Sequence, residues 1–204
     1  MSERPVKRKY DASSRRAAAA ATRERICVAA EERFVRDGYA RTSIRAVANE
    51  AGVAEATIYL AFPNKAALLD AVIARAVRDN LSEPLDAIAA APPRDVLPRL
   101  AASHATLMAR AARLIALGES ASLMDAELRP LRERAHGNLR AAFRVVADRL
   151  EGAGVLRAGA QEAADALYAI ASESTYLRMT EGAGLSPDRY AAWLTDTLGA
   201  LLLE

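Results

Sequence analysis

The side chains that most often carry out chemistry are few in this sequence and do not form a catalytic set. The 204 residues include one cysteine, Cys27, and two histidines, His104 and His136. The sequence has no glycine-rich phosphate loop and no nucleophile patterned with a general base. A single cysteine allows no internal disulfide and no thiolate cluster for a metal. Cys27 lies in a helical pattern of apolar residues, which favours a small buried or half-buried apolar side chain over redox sensing. We therefore predict no enzyme activity, no cofactor and no metal centre.

Charge is the remaining chemical signal, and it is unevenly distributed along the chain. Residues 1–65 contain 13 lysines and arginines against 8 acidic residues, a net charge of +5. Residues 66–204 contain 15 basic and 18 acidic residues, a net charge of −3. A basic N-terminal part on a mildly acidic remainder is typical of a phosphate-binding head attached to a sensing body. Residues 1–14 are basic with little to bury, and predict a disordered arm that either contacts DNA or only aids solubility.

The sequence predicts neither a membrane span nor a signal peptide. It contains no run of about 18 or more uncharged apolar residues, the length that a transmembrane helix needs. The alanine tract at residues 17–21 lies between Arg16 and Arg23 and is too short for a signal-peptide core. We expect a cytoplasmic protein.

Two short helices joined by a tight turn are predicted between residues 42 and 65. Thr42 or Ser43 is a suitable N-cap for the first helix, and Gly52 ends it because glycine adopts positive φ at low cost. The second helix runs over about residues 54–61, with Ile58 and Phe62 spaced i, i+4 on its inner side. This arrangement is the helix-turn-helix, in which the second helix enters the major groove of DNA.

The rest of the chain also has helical periodicity, and we predict an all-α fold of about nine helices. Proline, glycine and capping residues delimit the segments. The predicted helices outside the helix-turn-helix cover about residues 15–37, 64–81, 85–91, 95–117, 131–150, 160–181 and 187–203.

The stretch from Arg23 to Val72 closely resembles the N-terminal domain of the TetR family of transcriptional repressors. The residues that carry the resemblance, at the spacing of that family, are Phe34, Gly38, Tyr39, Thr42, Ile44, Ala48, Ala51, Gly52, Val53, Thr57, Ile58, Tyr59, Phe62, Lys65, Leu68 and Leu69. The chain departs from the family at Ala56, where many members have glycine. A methyl group there fits a helix and is able to contact a thymine methyl.

The resemblance implies roles for individual residues in DNA binding. Thr42, Tyr59 and Lys65 correspond to phosphate contacts of the family. The exposed start of the second helix, where base edges are met, holds Glu55, Ala56 and Thr57, and the hydroxyl of Ser43 lies beside exposed amides. Arg41 and Arg45 flank the unit and are expected to reach phosphates, and Arg45 is also a candidate for a base contact.

The resemblance also implies an effector pocket and a dimer interface in the C-terminal part. The large or polar side chains on helices that usually line the pocket are His104, Met108, Phe143, Tyr168 and Tyr176. The alternative for His104 is a half-buried histidine with satisfied hydrogen bonds, and the alternative for Met108 and Phe143 is a core residue. The last two helices carry apolar stripes wider than one face, and two copies of them would form a four-helix bundle across a two-fold axis. These stripes comprise Leu167, Tyr168, Ile170, Ala171, Tyr190, Trp193, Leu194, Thr197, Leu198, Leu201 and Leu202.

The predicted organisation is therefore a basic arm at 1–14, a helix-turn-helix domain at 15–65 and an effector-binding and dimerisation domain at 66–204. The expected function is that of a dimeric repressor released from a palindromic DNA operator by a small-molecule effector. Two alternatives keep the DNA-binding head: control by a protein partner, and activation in place of repression. The sequence names neither the effector nor the operator.

Overall fold

The computed structural model describes residues 10–204, and this part of the chain is built from α-helices. The helices are α1 (Tyr10–Asp37), α2 (Ile44–Ala51), α3 (Glu55–Ala61), α4 (Lys65–Asn80), α5 (Leu85–Ala89), α6 (Pro93–Ser122), α7 (Arg129–Gly152), α8 (Ala160–Ile170), α9 (Glu173–Leu177) and α10 (Pro187–Leu202). A π-helical turn over Arg178–Gly182 follows α9. An isolated antiparallel bridge pairs Leu156 with Leu203.

Local sequence signals account for the predicted helix-turn-helix. Ser43 caps α2, accepting a hydrogen bond from the amide of Ala46 at 3.1 Å. Gly52 ends α2 in the left-handed region at φ 64°, where its lack of a Cβ avoids strain. Asn64 accepts from the amide of Ala67 at 2.7 Å and so caps the start of α4.

Helix α1 lies behind α2 and α3 and supplies part of the core of this region. Ile26 and Phe34 of α1 are fully buried, as are Ile58 and Phe62 of the helix-turn-helix. Arg33 of α1 pairs with Glu50 of α2 at the edge of this core, and that hydrogen bond lowers the pKa of the Glu50 carboxyl. Helix α1 is therefore packed as a support behind the helix-turn-helix that α2 and α3 form.

The C-terminal helices form a second core. Helix α10 packs along α6, α7 packs along α8, and α9 and α5 pack against α6 and α7 respectively. Leu100, Leu150, Leu167, Tyr190 and Leu194 are among its fully or almost fully buried side chains. Within the described residues, no single helix is long and apolar enough to cross a membrane. Helices α3 and α4 have that length and composition only when taken together, and a bend of 67° separates them.

The chain divides into two compact units, one ending at Val72 and the other running from Ile73 to Glu204. The sequence placed this division after Lys65. The difference arises because the first half of α4, with the fully buried Leu68 and Leu69, belongs to the N-terminal unit. We call residues up to Val72 the head and residues 73–204 the body.

Helices α1 and α6 extend several residues beyond their predicted bounds. Helix α1 begins at Tyr10, so the last five residues of the predicted disordered arm are helical, while residues 1–9 lie outside the described part. The predicted helix end at Gly118 is wrong, because α6 continues to Ser122. A Cβ at Gly118 would lie 2.5 Å from Cδ1 of Ile73, so the glycine permits close packing there.

The predicted helix over residues 160–181 is broken into two, which adds one helix to the nine expected. Helix α8 ends at Ile170, and Ser172 then takes an extended conformation with ψ 158°. Its hydroxyl accepts from the amide of Thr175 at 3.2 Å and starts α9 as an N-cap. A serine that competes with the helix for backbone hydrogen bonds thus interrupts an otherwise continuous apolar pattern.

The close approach at Gly118 predicts energetic coupling to Ile73. In an Ile73→Val background, which removes the atom in the way, we expect Gly118→Ala to raise the free energy of unfolding by about 0.5–1 kcal/mol through helix propensity. In the wild-type background we expect a smaller gain or a loss, because the Ile73 side chain must move. Urea unfolding of the four proteins at one protein concentration gives the double-mutant cycle. The same effect in both backgrounds would contradict the close packing of Ile73 on Gly118.

Candidate functional site

The outer side of the helix-turn-helix is exposed, and it presents side chains that can contact a ligand. Helix α3 has only one buried residue, Ile58, which faces the head core. On its outer side Tyr59 is 52% exposed and Leu60 is 90% exposed. Glu55 and Ala56, at the start of the same helix, are also exposed. The face therefore combines a phenol, a carboxylate and apolar groups on one short helix.

Most of the residues predicted to contact DNA lie on this exposed surface. Arg41, Ser43 and Arg45 are exposed on the segment that leads into α2 and on its first turn. Arg41 donates through Nε to the carbonyl of Asp37 at 2.7 Å, which holds its guanidinium beside the end of α1. Thr57 is half-buried in α3. These residues and Tyr59 remain candidates for DNA contacts.

The position of Thr42 does not support its predicted role as a phosphate contact. The side chain is buried, with 2% exposure. Its hydroxyl lies 2.8 Å from the carbonyl oxygen of Gly38 and 3.2 Å from that of Arg33, both of which accept hydrogen bonds. Thr42 therefore links the end of α1 to the start of the helix-turn-helix through hydrogen bonds within the head.

Lys65 also has a structural role that the resemblance did not indicate. Its ammonium donates to the carbonyls of Tyr39 at 3.0 Å and Thr42 at 3.3 Å. It also lies 4.2 Å from the centroid of the Tyr39 ring, within the range of a cation–π interaction. The ammonium has three N–H groups. The two carbonyls account for two of them, which leaves one N–H group that neither carbonyl accepts.

Two residues at this surface were missed by the sequence interpretation. Leu60 lies two positions from the inward-facing Ile58, so helical periodicity alone places it outside. Arg23 of α1 donates through Nη1 to the carbonyl of Ala61 at 2.6 Å. Its guanidinium carbon also lies 3.9 Å from the centroid of the Phe62 ring. The hydrogen bond joins residues 38 positions apart, and no local pattern could have indicated it.

In the body, two of the five predicted effector residues, His104 and Tyr176, both contact Tyr190. Nδ1 of His104 and the hydroxyl of Tyr190 lie 3.2 Å apart. The rings of Tyr176 and Tyr190 meet edge to face at 4.9 Å between centroids. Nε2 of His104 is buried without a well-formed hydrogen bond. These three residues, on α6, α9 and α10, form a polar cluster inside an apolar core, which we call the His104 cluster.

One of the remaining predicted effector residues makes its polar contacts outside the His104 cluster. Tyr168 belongs to a different cluster, because its hydroxyl lies 2.5 Å from Nδ1 of His136. Nε2 of His136 lies 2.9 Å from the carboxylate of Glu119, and the guanidinium of Arg140 lies 4.4 Å from the Tyr168 ring centroid. His136, Arg140 and Tyr168 line a surface cleft of ≈ 340 Å³ on α7 and α8.

Met108 and Phe143 are buried in the hydrophobic core of the body. They share that core with Tyr176 and Tyr190, the two tyrosines of the His104 cluster. His104 and Tyr176 are therefore the polar candidates for effector binding within this core. Tyr168 packs against the same core, but its hydroxyl contacts His136 instead.

The state of His104 predicts a pH dependence of stability. Burial lowers its pKa from 6.5 to about 4, and the backbone of Ala171 opposes this only partly. The unfolded chain therefore binds a proton that the folded chain excludes between those pH values, so stability falls as pH decreases from about 6.5 to about 4. We expect this decrease to reach about 3 kcal/mol and to be largely absent in His104→Gln.

Urea unfolding of both proteins at several pH values measures this dependence. His104→Gln keeps a hydrogen-bonding group next to Tyr190 but does not titrate. An equal loss of stability in the two proteins would show that other groups cause it.

Comparison with known proteins identifies the head. Residues 26–72 match the family model described as bacterial regulatory proteins, tetR family. That match covers Ile26 of α1 through Val72 of α4, and so contains the whole helix-turn-helix described above.

The described fold is also similar to solved structures along most of its length. The repressor NalD of Pseudomonas aeruginosa, which controls the MexAB-OprM multidrug efflux pump, is 23% identical, with a TM-score of 0.70 over 92% of this chain and 98% of that one. SmeT, the repressor of a multidrug efflux pump of Stenotrophomonas maltophilia, is also similar. Its complex with triclosan is 23% identical, with a TM-score of 0.73 over 90% of this chain and 92% of that one. A protein of Saccharomonospora viridis in complex with choline is 23% identical, with a TM-score of 0.71 over 91% of this chain and 99% of that one.

The sequence motif, the geometry of the head and the family model agree on one assignment. Residues 26–72 match the model of the tetR family of bacterial regulatory proteins, and the chain has the all-α fold of the solved structures that it resembles.

Proposed function

We propose that the protein is a dimeric, DNA-binding transcriptional repressor that a small-molecule effector releases from a palindromic operator. The observation that carries this proposal is the exposed outer face of α3, held by a buried support on its other side. A short helix of this kind, with its base-reading side free, is suited to enter the major groove. The match of residues 26–72 to a family of regulatory proteins supports the same function.

The DNA contacts are assigned from exposure and chemistry. Arg45 and Arg41 are exposed cations that reach phosphates beside the groove. The phenol of Tyr59 donates a hydrogen bond to a phosphate oxygen, as its 52% exposure permits. Leu60 and Ala56 offer apolar contact to thymine methyl groups, and Glu55 is able to accept from a cytosine amino group.

We expect Arg45→Ala and Tyr59→Phe each to weaken binding to the promoter DNA beside the protein's own gene by about fivefold to thirtyfold, because each removes one contact worth about 1–2 kcal/mol. Arg129→Ala, which removes an exposed arginine of the body, is the matched control and should bind as the wild type does. Electrophoretic shifts at several salt concentrations measure the dissociation constants, and wild-type binding should weaken steeply with salt.

Neither substitution should change the thermal unfolding of the protein, because both side chains are exposed. Equal binding by all four proteins would remove these residues from the interface. Failure of the wild type to bind would leave the choice of promoter or the function itself in error.

The proposed dimer interface uses the parts of α8 and α10 that the body core does not cover. Tyr190, Leu194, Leu198 and Leu202 face inward on α10 and are buried. Those of the predicted stripes that stay half-buried or exposed are Tyr168, Ile170, Trp193, Thr197 and Leu201. On α10 these recur every four residues, so they form one edge that a two-fold partner can cover.

A charge placed on this edge should separate the protomers. We expect Thr197→Glu to convert the protein largely to a monomer at micromolar concentration, because the carboxylate would be buried unpaired in the interface. Ala192→Glu adds the same charge on a different side of α10 and should leave the dimer intact. Light scattering coupled to size-exclusion chromatography measures the mass. A monomeric wild type, or equal effects of both substitutions, would contradict the proposed interface.

Effector release is proposed through α6 and α4. Helix α6 carries His104 and Met108, and its Gly118 packs against Ile73, at the point where α4 enters the body. A ligand that binds only one arrangement of α6 would therefore bias the position of α4 and, through the continuous helix, that of the head. The choline and triclosan complexes of the similar structures support a small-molecule effector. The effector of this chain is not named by the structure.

A further inference from the structure

The first part of α1 extends beyond the core of the head. From residue 13 onward, where side-chain burial is described, the first buried side chain of the helix is Ile26, and residues 13–21 are all exposed. From Tyr10 to Arg25 this extension has 16 residues, a length of about 24 Å at the usual rise per residue. Its alanine tract explains why it is helical, because alanine has the highest helix propensity. Burial does not explain the exposed stretch over residues 13–21, since those side chains add nothing to the core.

A groove lies between this extension and α3. It has a volume of ≈ 570 Å³. Every residue that lines it within the described chain is an alanine, a threonine, a leucine or an arginine: Ala18, Ala19, Ala20, Thr22, Arg23, Thr57, Leu60 and Ala61. Arg23 spans its inner end, because the guanidinium donates to the carbonyl of Ala61 and covers the ring of Phe62. Arg23 thus fixes the extension beside the helix proposed to read DNA.

The charge around this α1–α3 groove is positive. Arg16 lies seven residues before Arg23, so both are on the same side of α1, about 10 Å apart along its axis. Ala19 lies between them on that side. Arg16 has no ion-pair partner among the described residues. The extension from residue 13 to residue 25 contains four arginines against one glutamate.

We propose that the α1–α3 groove holds one sugar–phosphate backbone of the DNA duplex, alongside the major groove that α3 enters. The apolar floor of alanines suits the deoxyribose, and Arg16 with the hydroxyls of Thr22 and Thr57 suits the phosphates. The extension then lengthens the contact with DNA beyond the helix-turn-helix, and these contacts carry no sequence information. The inference rests on the proposed function, because it requires that the head binds DNA.

The test compares the same charge on two sides of the extension. Ala19→Glu places a carboxylate in the groove, while Ala21→Glu places it two residues further along, about 200° around the helix. We expect Ala19→Glu to weaken binding of the full chain to a 40-base-pair duplex of random sequence by about tenfold or more, and Ala21→Glu by less than about threefold. Fluorescence anisotropy measures the affinity, and far-ultraviolet circular dichroism checks that helix content is unchanged.

A second variant tests the phosphate interaction of Arg16 itself. Arg16→Ala keeps a strong helix former. It should lower the slope of the logarithm of the binding constant against the logarithm of salt concentration by about one for each phosphate that Arg16 neutralises. It should also weaken binding to the random duplex and to the promoter fragment by the same factor. Arg16→Lys should retain most of the wild-type slope.

The outcomes separate this inference from the function on which it rests. If the wild type binds DNA but Ala19→Glu and Ala21→Glu act alike, or Arg16→Ala keeps the full salt slope, the groove does not hold DNA and the function stands. If the wild type binds neither the random duplex nor the promoter fragment, the proposed function fails and the inference fails with it.

Discussion

The burial of Ile58 and Phe62 is the interaction on which the rest of the head depends. A helix of seven residues, the length of α3, is not stable alone in water. Its orientation therefore comes from the two side chains that it places against α1, both of them fully or almost fully buried. Because these two positions face inward, helical geometry turns Tyr59 and Leu60 outward. The surface that we assign to DNA is thus a direct result of how the core is filled.

Polar groups inside the head reinforce this arrangement. At the junction of α1, α2 and α4, the hydroxyl of Thr42 donates to the carbonyls of Arg33 and Gly38. The ammonium of Lys65 donates to the carbonyls of Tyr39 and Thr42. Buried backbone carbonyls without partners are costly, so these contacts stabilise the turn that aims α2 and α3. A residue can resemble a phosphate contact of a family and still be needed first for the geometry of the head.

In the body, polar side chains lie inside the hydrophobic core itself. Its core is mainly aliphatic, but the His104 cluster places an imidazole and two phenols within it. Burial keeps His104 neutral over most of the physiological pH range by lowering its pKa, and its Nε2 has no well-formed hydrogen bond. An unsatisfied polar atom of this kind reduces stability. A ligand that provided the missing hydrogen bond would recover that free energy, which is the link between core chemistry and the proposed effector.

The sequence predicted those parts of the fold that local signals determine. The helix-turn-helix followed from Ser43, Gly52 and the spacing of Ile58 and Phe62. The break at Ser172 was missed because the apolar pattern continues across it. The continuation of α6 through Gly118 was missed because a glycine often ends a helix, whereas here it permits close packing against Ile73, a residue of another helix.

The candidate site shows the same division between local and distant interactions. The exposed residues of α3 and of the start of α2 follow from periodicity and from the resemblance. The internal partners of Thr42 and Lys65, the pairing of Tyr168 with His136, and the hydrogen bond of Arg23 to Ala61 all join separate elements. None of these has a signature in a single sequence.

Selection of DNA from a random library by the full-length wild-type protein would test the central claim most directly. If α3 of each protomer reads a major groove, the enriched duplexes should contain an inverted repeat with half-site centres about 10–10.5 base pairs, or a multiple of that, apart. Enrichment of no sequence over repeated rounds, with binding that leaves the library unchanged, would contradict the account. It would mean that the exposed face of α3 does not read DNA.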